Sequence, residues 1–178
     1  MRSTLSAVVA RLLASLSGVY DGDEPVDELT HALLCAQAAL DLDARPALLA
    51  ACLLHDVGRS PVVRARLPGL EHEDAGAAYL RPLLGEEVAW LVVQHVAAKA
   101  YLVAHEPGYA GLLSPESAAS HEGQRARIGA FPVEHPLWPD ALLLRRLDDA
   151  AKDPSAPRPE LGPILALLAP LLRLAEIG

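Results

Sequence analysis

Apolar positions along the chain recur at helical spacing and are broken by proline, glycine and polar clusters. They predict helices over about 3–17, 27–42, 46–56, 71–83, 86–104, 114–124, 139–152 and 159–176. Pro25 and Asp27 mark the start of the second, and Pro46 stands in the first turn of the third, where a helix tolerates it. That third run is apolar from Ala47 to Leu54 and closes on His55-Asp56, with Gly58 following as a stop signal. Gly58 to Gly69, with Pro61 and Pro68, reads as a loop; Ala130 to Pro139, with three prolines, reads as a second irregular stretch. No repeat or long linker divides the chain. The pattern predicts one all-α domain over 1–178: a single compact helical bundle, its motif-bearing residues within about 20–152, closed by a packing helix at about 159–176.

Composition sharpens this reading. Of 178 residues, 52% are hydrophobic and only 4% aromatic, with Ala and Leu dominant, which favours helix over sheet. A net charge of −8 argues against a nucleic-acid groove or an anionic membrane surface. The apolar run Leu161–Ile177 is interrupted by Pro163 and Pro170 and carries Arg173 and Glu176, so a packed helix is expected there instead of a membrane span. The N-terminal run MRSTLSAVVARLLASLSG lacks a clear cleavage signal and blends into an amphipathic pattern. Cys35 and Cys52 lie inside apolar helical stretches and are expected to be reduced core residues, consistent with a cytoplasmic location. The expected partner is a small molecule, with no nucleic acid and no membrane, on a monomer or homodimer.

The candidate chemistry lies in polar groups set into apolar helices. His31 shares a helix face with Leu34, Cys35 and Ala38; His55-Asp56 ends a four-residue apolar run; His95 follows Val88–Val93. An unpaired imidazole or carboxylate costs free energy in such places, and sharing cations compensates several at once. With His72 and Asp148 the set comprises four His and two Asp, too many for one ion of ordinary coordination number. A dinuclear centre bridged by Asp56 uses all six. Asp148 is preferred to Asp149 because it shares a face with Leu144 and Ala151, whereas Asp149 sits nearer Arg146 and Asp153. Mixed imidazole and carboxylate ligands suit iron, manganese or zinc alike. His105, His121 and His135 are expected to be ordinary structural residues.

A second polar set points to the same place. Lys99 lies four residues after His95 and Arg145 three before Asp148, while Ser117, Ser120 and Gln124 form one stripe on a helix. Around a metal pair, these cations, hydroxyls and amide would make a pocket for a tetrahedral oxyanion such as phosphate or phosphonate.

The spacing His31, His55-Asp56, Asp148 resembles the HD-domain superfamily. The runs EPVDELTHALLCA (24–36), LLHDVG (53–58), HEDAGAAYL (72–80), HVAAKAYL (95–102), LSPESAASHEGQ (113–124) and RRLDDAAK (145–152) resemble its mixed-valent di-iron oxygenases, which cleave phosphonates. The resemblance implies two iron ions in a mixed Fe(II)/Fe(III) state, with O2 as co-substrate. One iron would be held by His31, His55, Asp56 and Asp148, and a second by Asp56, His72 and His95. It further implies that Lys99, Ser117, Ser120, Gln124 and Arg145 grip the phosphonate, with Lys99 serving catalysis. Glu24 is implied to fill the second iron's open position before substrate arrives. The family's substrate-facing tyrosine stands three residues before that Glu; here position 21 is Asp and Tyr20 precedes it. Gln124 is followed by Arg125-Ala126, not glycines, and Lys99 by Ala100, not Arg. The implied activity is O2-dependent cleavage of a 1-hydroxyphosphonate to a carboxylic acid and phosphate. A divalent-metal phosphohydrolase acting on a small phosphate ester, or a metal-containing ligand-binding protein, are the rival readings.

Overall fold

The fold is given by a computed structural model that describes residues 4–177, with side chains through residue 171. The expected helix start at residue 3 and the side chains of Arg173 and Glu176 lie outside the described residues. Eight α-helices and no strand are present among them. They are α1 (Leu5–Ala14), α2 (Glu28–Asp41), α3 (Pro46–Leu54), α4 (Pro61–Arg66), α5 (His72–His105), α6 (Pro115–Arg127), α7 (Trp138–Ala150) and α8 (Leu161–Ile177).

The starts follow local chemistry. Thr4, Asp27, Ser60 and Ser114 each accept a backbone N–H from the first turn that follows, and Pro46, Pro61 and Pro115 occupy first-turn positions. The core is centred on α3. Every residue from Ala47 to Leu54 is buried, so this helix is apolar on all sides and must be surrounded. It packs against α2, α5, α7 and α8. Leu53 is fully buried, and its truncation to Ala would cost about 2–5 kcal/mol.

Three expectations need correction. The stretch Gly58 to Gly69 is not a plain loop: a 3-10 turn covers Val57–Arg59 and α4 follows, capped by Ser60 ahead of Pro61. Gly58 is also no stop signal, because α3 already ends at Leu54 and Gly58 lies inside that turn. The break expected between 83 and 86 is a kink within α5 at Gly85 (φ 86°), in the left-handed region that glycine adopts without strain. Although α5 is long and apolar enough to cross a membrane, 61% of its most apolar window is buried inside the bundle, as a core helix would be.

Candidate metal centre

Three helices bring the imidazoles together: His31 from α2, His55 at the end of α3, and His72 and His95 from the two halves of α5. His31, His55 and His95 are buried. Each ring is oriented through Nδ1, which stands 3.0 Å from the Ala151 carbonyl for His31, 3.0 Å from the Cys52 carbonyl for His55 and 2.6 Å from the Val92 carbonyl for His95. The His72 Nδ1 faces the Glu73 carboxylate at 3.0 Å. A carbonyl only accepts, so Nδ1 carries the proton in the first three and Nε2 presents its lone pair. Yet the Nε2 atoms face one another in pairs, His31 and His55 at 3.1 Å, His72 and His95 at 3.3 Å. Lone pairs so placed repel unless a cation stands between them.

The carboxylates complete the two sets. Asp56 directs Oδ2 toward His55 (3.4 Å) and His31 (3.9 Å), and Oδ1 toward His72 (3.2 Å) and His95 (3.8 Å). Its Oδ1 is buried without a hydrogen-bond partner. Asp148 Oδ1 lies 3.1 Å from His31 Nε2 and 3.6 Å from that of His55. Bonds of about 2.0–2.2 Å to one ion put neighbouring donors roughly 2.8–3.6 Å apart in octahedral or tetrahedral geometry, so most of these separations match the edges of coordination polyhedra. The donor set fits a metal pair sharing Asp56. The first ion would have four protein ligands and the second three, leaving open positions as in a catalytic site. Burial opposes ionisation of Asp56, but the adjacent Arg59 guanidinium holds its carboxyl well below the usual range. Burial, then the neighbouring His55, pushes the His95 imidazole down to about 3, which keeps it neutral for coordination.

The oxyanion set assembles beside this pair. Lys99 donates from Nζ to Ser120 Oγ (2.9 Å) and to the Ser117 carbonyl (3.2 Å). Arg145 donates from Nη2 to Ser117 Oγ (2.9 Å) and from Nη1 to Asp148 Oδ2 (2.7 Å). With Gln124, whose buried Oε1 has no partner, they line one polar cavity with Asp56, His72, His95 and Asp148. Burial, then the charge of Arg145, brings the Lys99 ammonium down to about 7. The space left is about 20 Å³, room for roughly one water. A groove of about 590 Å³ lies between α1, α4 and α5, lined by residues such as Leu12, Leu67 and Tyr79; it holds none of these ligands.

The N-terminal candidates divide. Glu24 is buried at the cavity margin, where its Oε1 accepts from Ser114 Oγ and Lys152 Nζ, and it joins neither donor cluster. Tyr20 is 57% exposed and lines neither the cavity nor its margin. Asp21 lines both and pairs with Arg59 at 2.6 Å. His105 stacks on Tyr101 and His135 on Trp90, and neither of these nor His121 joins a cluster. Sequence reasoning missed Arg59, which lies 3.3 Å from Asp56 Oδ1 and 3.4 Å from Glu28. Its signal was a basic residue one turn after the His-Asp pair. Glu28, Glu73 and Lys152 were also missed. Burial, then the charge of Asp56, raises the Glu28 carboxyl to about 9, so it is held protonated; no local sequence signal marks it.

Residues 29–127 match the HD domain family. The chain is 36% identical over 141 residues to the hydroxymethylphosphonate dioxygenase of Gimesia maris, covering 73% of this chain and 70% of that protein. It is 31% identical over 153 residues to the glycine-betaine-forming [1-hydroxy-2-(trimethylamino)ethyl]phosphonate dioxygenase of Leisingera caerulea, covering 77% and 78%. The histidine–aspartate clusters and the polar cavity beside them lie in a fold that agrees with these relatives, and the chain belongs to the HD-domain family, in its branch of phosphonate dioxygenases.

Proposed function

We propose that this enzyme cleaves the carbon–phosphorus bond of a 1-hydroxyphosphonate with O2, giving a carboxylate and inorganic phosphate. The observation that carries the reading is the division of Asp56 between two histidine pairs, directly beside a cavity lined by Lys99, Arg145 and a serine pair. When bound, a mixed-valent iron pair supplies the redox chemistry with O2. His31, His55, Asp56 and Asp148 would hold the first iron; Asp56, His72 and His95, which line the cavity, would hold the second. Lys99, Ser117, Ser120, Gln124 and Arg145 bind the phosphonate oxygens and fix the substrate's orientation against the metal pair. The same cations neutralise the charge that passes to phosphate as the bond breaks. Hydroxymethylphosphonate and O2 together contain the atoms of formate and hydrogen phosphate plus one proton, so no external electron donor is needed.

The test is phosphate release from hydroxymethylphosphonate by iron-loaded protein, with and without O2. Release that requires O2, in step with O2 uptake and formate, is expected. Release of phosphate from simple esters under anaerobic conditions, with phosphonates untouched, would replace this reading with that of a phosphohydrolase.

A further inference from the structure

We infer that Asp149 and Tyr109 form a positioning pair that fixes the Arg145 guanidinium and so sets the affinity of the site for its oxyanion. The inference rests on the phosphonate reading above and adds two residues that touch neither substrate nor metal. Arg145 has five N–H groups. Nε and Nη2 form a two-pronged contact with the Asp149 carboxylate, Nη2 also donates to Ser117 Oγ, and Nη1 donates to Asp148 Oδ2. Four of the five are thereby committed, which leaves one on Nη1 for an oxyanion in the cavity that Arg145 lines. The direction of that group is set by the fork on the far side.

The fork is itself anchored. Tyr109, in the 3-10 turn Tyr109–Leu112 after α5, is only 2% exposed and donates its hydroxyl to Asp149 Oδ2, the oxygen that also takes Nε of Arg145. Arg146 covers the tyrosine ring at 5.8 Å and pairs with Glu106, so the ring is held from outside as well. Asp148 cannot do this work alone, because its Oδ1 faces His31 and His55 and only Oδ2 reaches the guanidinium. A planar guanidinium held on two carboxylates keeps its plane; with one removed it can rotate about the other.

The experiment measures methylphosphonate binding to anaerobic, iron-loaded protein by calorimetry, together with steady-state kinetics on hydroxymethylphosphonate. Tyr109→Phe keeps the buried ring and should weaken binding about threefold. Asp149→Asn turns an amide N–H toward the guanidinium and should weaken it about tenfold or more. KM should rise by the same factors while kcat, iron content and melting temperature stay near wild type. In an Arg145→Lys background the Asp149→Asn effect should largely vanish, since the pair acts through Arg145. Unchanged affinity in both single variants, or an equal loss in the Arg145→Lys background, would overturn the inference while leaving the phosphonate reading in place. Wild-type protein that binds no methylphosphonate would sink that reading, and this inference with it. If Asp149→Asn does not fold, Tyr109→Phe decides alone.

Discussion

Gly58 and His72 touch so closely that a Cβ at position 58 would lie 1.9 Å from the His72 carbonyl oxygen. The turn that carries His55-Asp56 is thereby pressed against the first residue of α5, and this contact sets the distance between the two ligand pairs. Gly58→Ala must push that backbone away. The expected outcome is destabilisation of about 1–3 kcal/mol from overpacking, with preferential loss of the second metal ion. Thermal melts and metal counts per chain measure both, and a variant holding two ions at wild-type stability would show that the contact is not needed.

The two ligand sets overlap only at Asp56, and this separates their losses. His72→Ala and His95→Ala should each lose one ion per chain and keep the other, whereas Asp56→Ala should impair both. Metal analysis after equilibrium dialysis decides the matter. Two ions retained at wild-type affinity in both histidine variants would be incompatible with a dinuclear site.

The lowered pKa of Lys99 makes a pH prediction with a definite sign. Its ammonium, at about 7 in the fold, is charged below neutrality and loses its proton above it. A bound oxyanion favours the charged form, so its contribution is full below pH 7 and fades as pH rises. Lys99→Met should therefore raise KM by roughly 10- to 100-fold at pH 6, as expected for the loss of a charge-assisted hydrogen bond. The ratio of variant to wild-type KM should narrow toward pH 9, and taking it cancels the ionisation of the substrate itself. A ratio constant from pH 6 to 9 would remove the ammonium from substrate binding.

The residues of the two donor clusters are readable because a buried imidazole or carboxylate on an apolar helix face is costly, and the cost is visible in local spacing. The same reasoning separated Asp148 from Asp149. It assigned Asp149 to the polar side, yet the structure folds it back onto Arg145 and Tyr109, with its side chain 9% exposed. Partners such as Lys152 for Glu24, 128 positions apart, leave no trace in a local pattern because tertiary packing alone joins them. The Ser60-Pro61 start of α4 was written in the sequence as a cap followed by a first-turn proline, but the prolines at both ends made it read as a loop.

The last prediction concerns the segment from Asp21 to Glu24, which borders the cavity. Two pairs hold it, Asp21 with Arg59 and Glu24 with Lys152, and Gly22 (φ 56°) passes so near Glu116 that a Cβ would meet its carboxylate at 2.4 Å. Burial pushes the Glu24 carboxyl up, but the hydrogen bonds from Lys152 and Ser114 outweigh it and keep the group ionised. The space of about 20 Å³ beside the ligand pairs is smaller than a phosphonate, and Asp21 lines it. If Glu24 leaves Lys152 to fill the open metal position while the iron-loaded site awaits substrate, its loss exposes the resting centre to O2. Glu24→Ala should oxidise its irons without substrate faster than wild type, at similar metal content. Lys152→Met, which frees Glu24 instead of removing it, should not. Stopped-flow mixing of mixed-valent protein with O2 measures both variants. Identical rates in Glu24→Ala and wild type would mean that Glu24 has no gating role here.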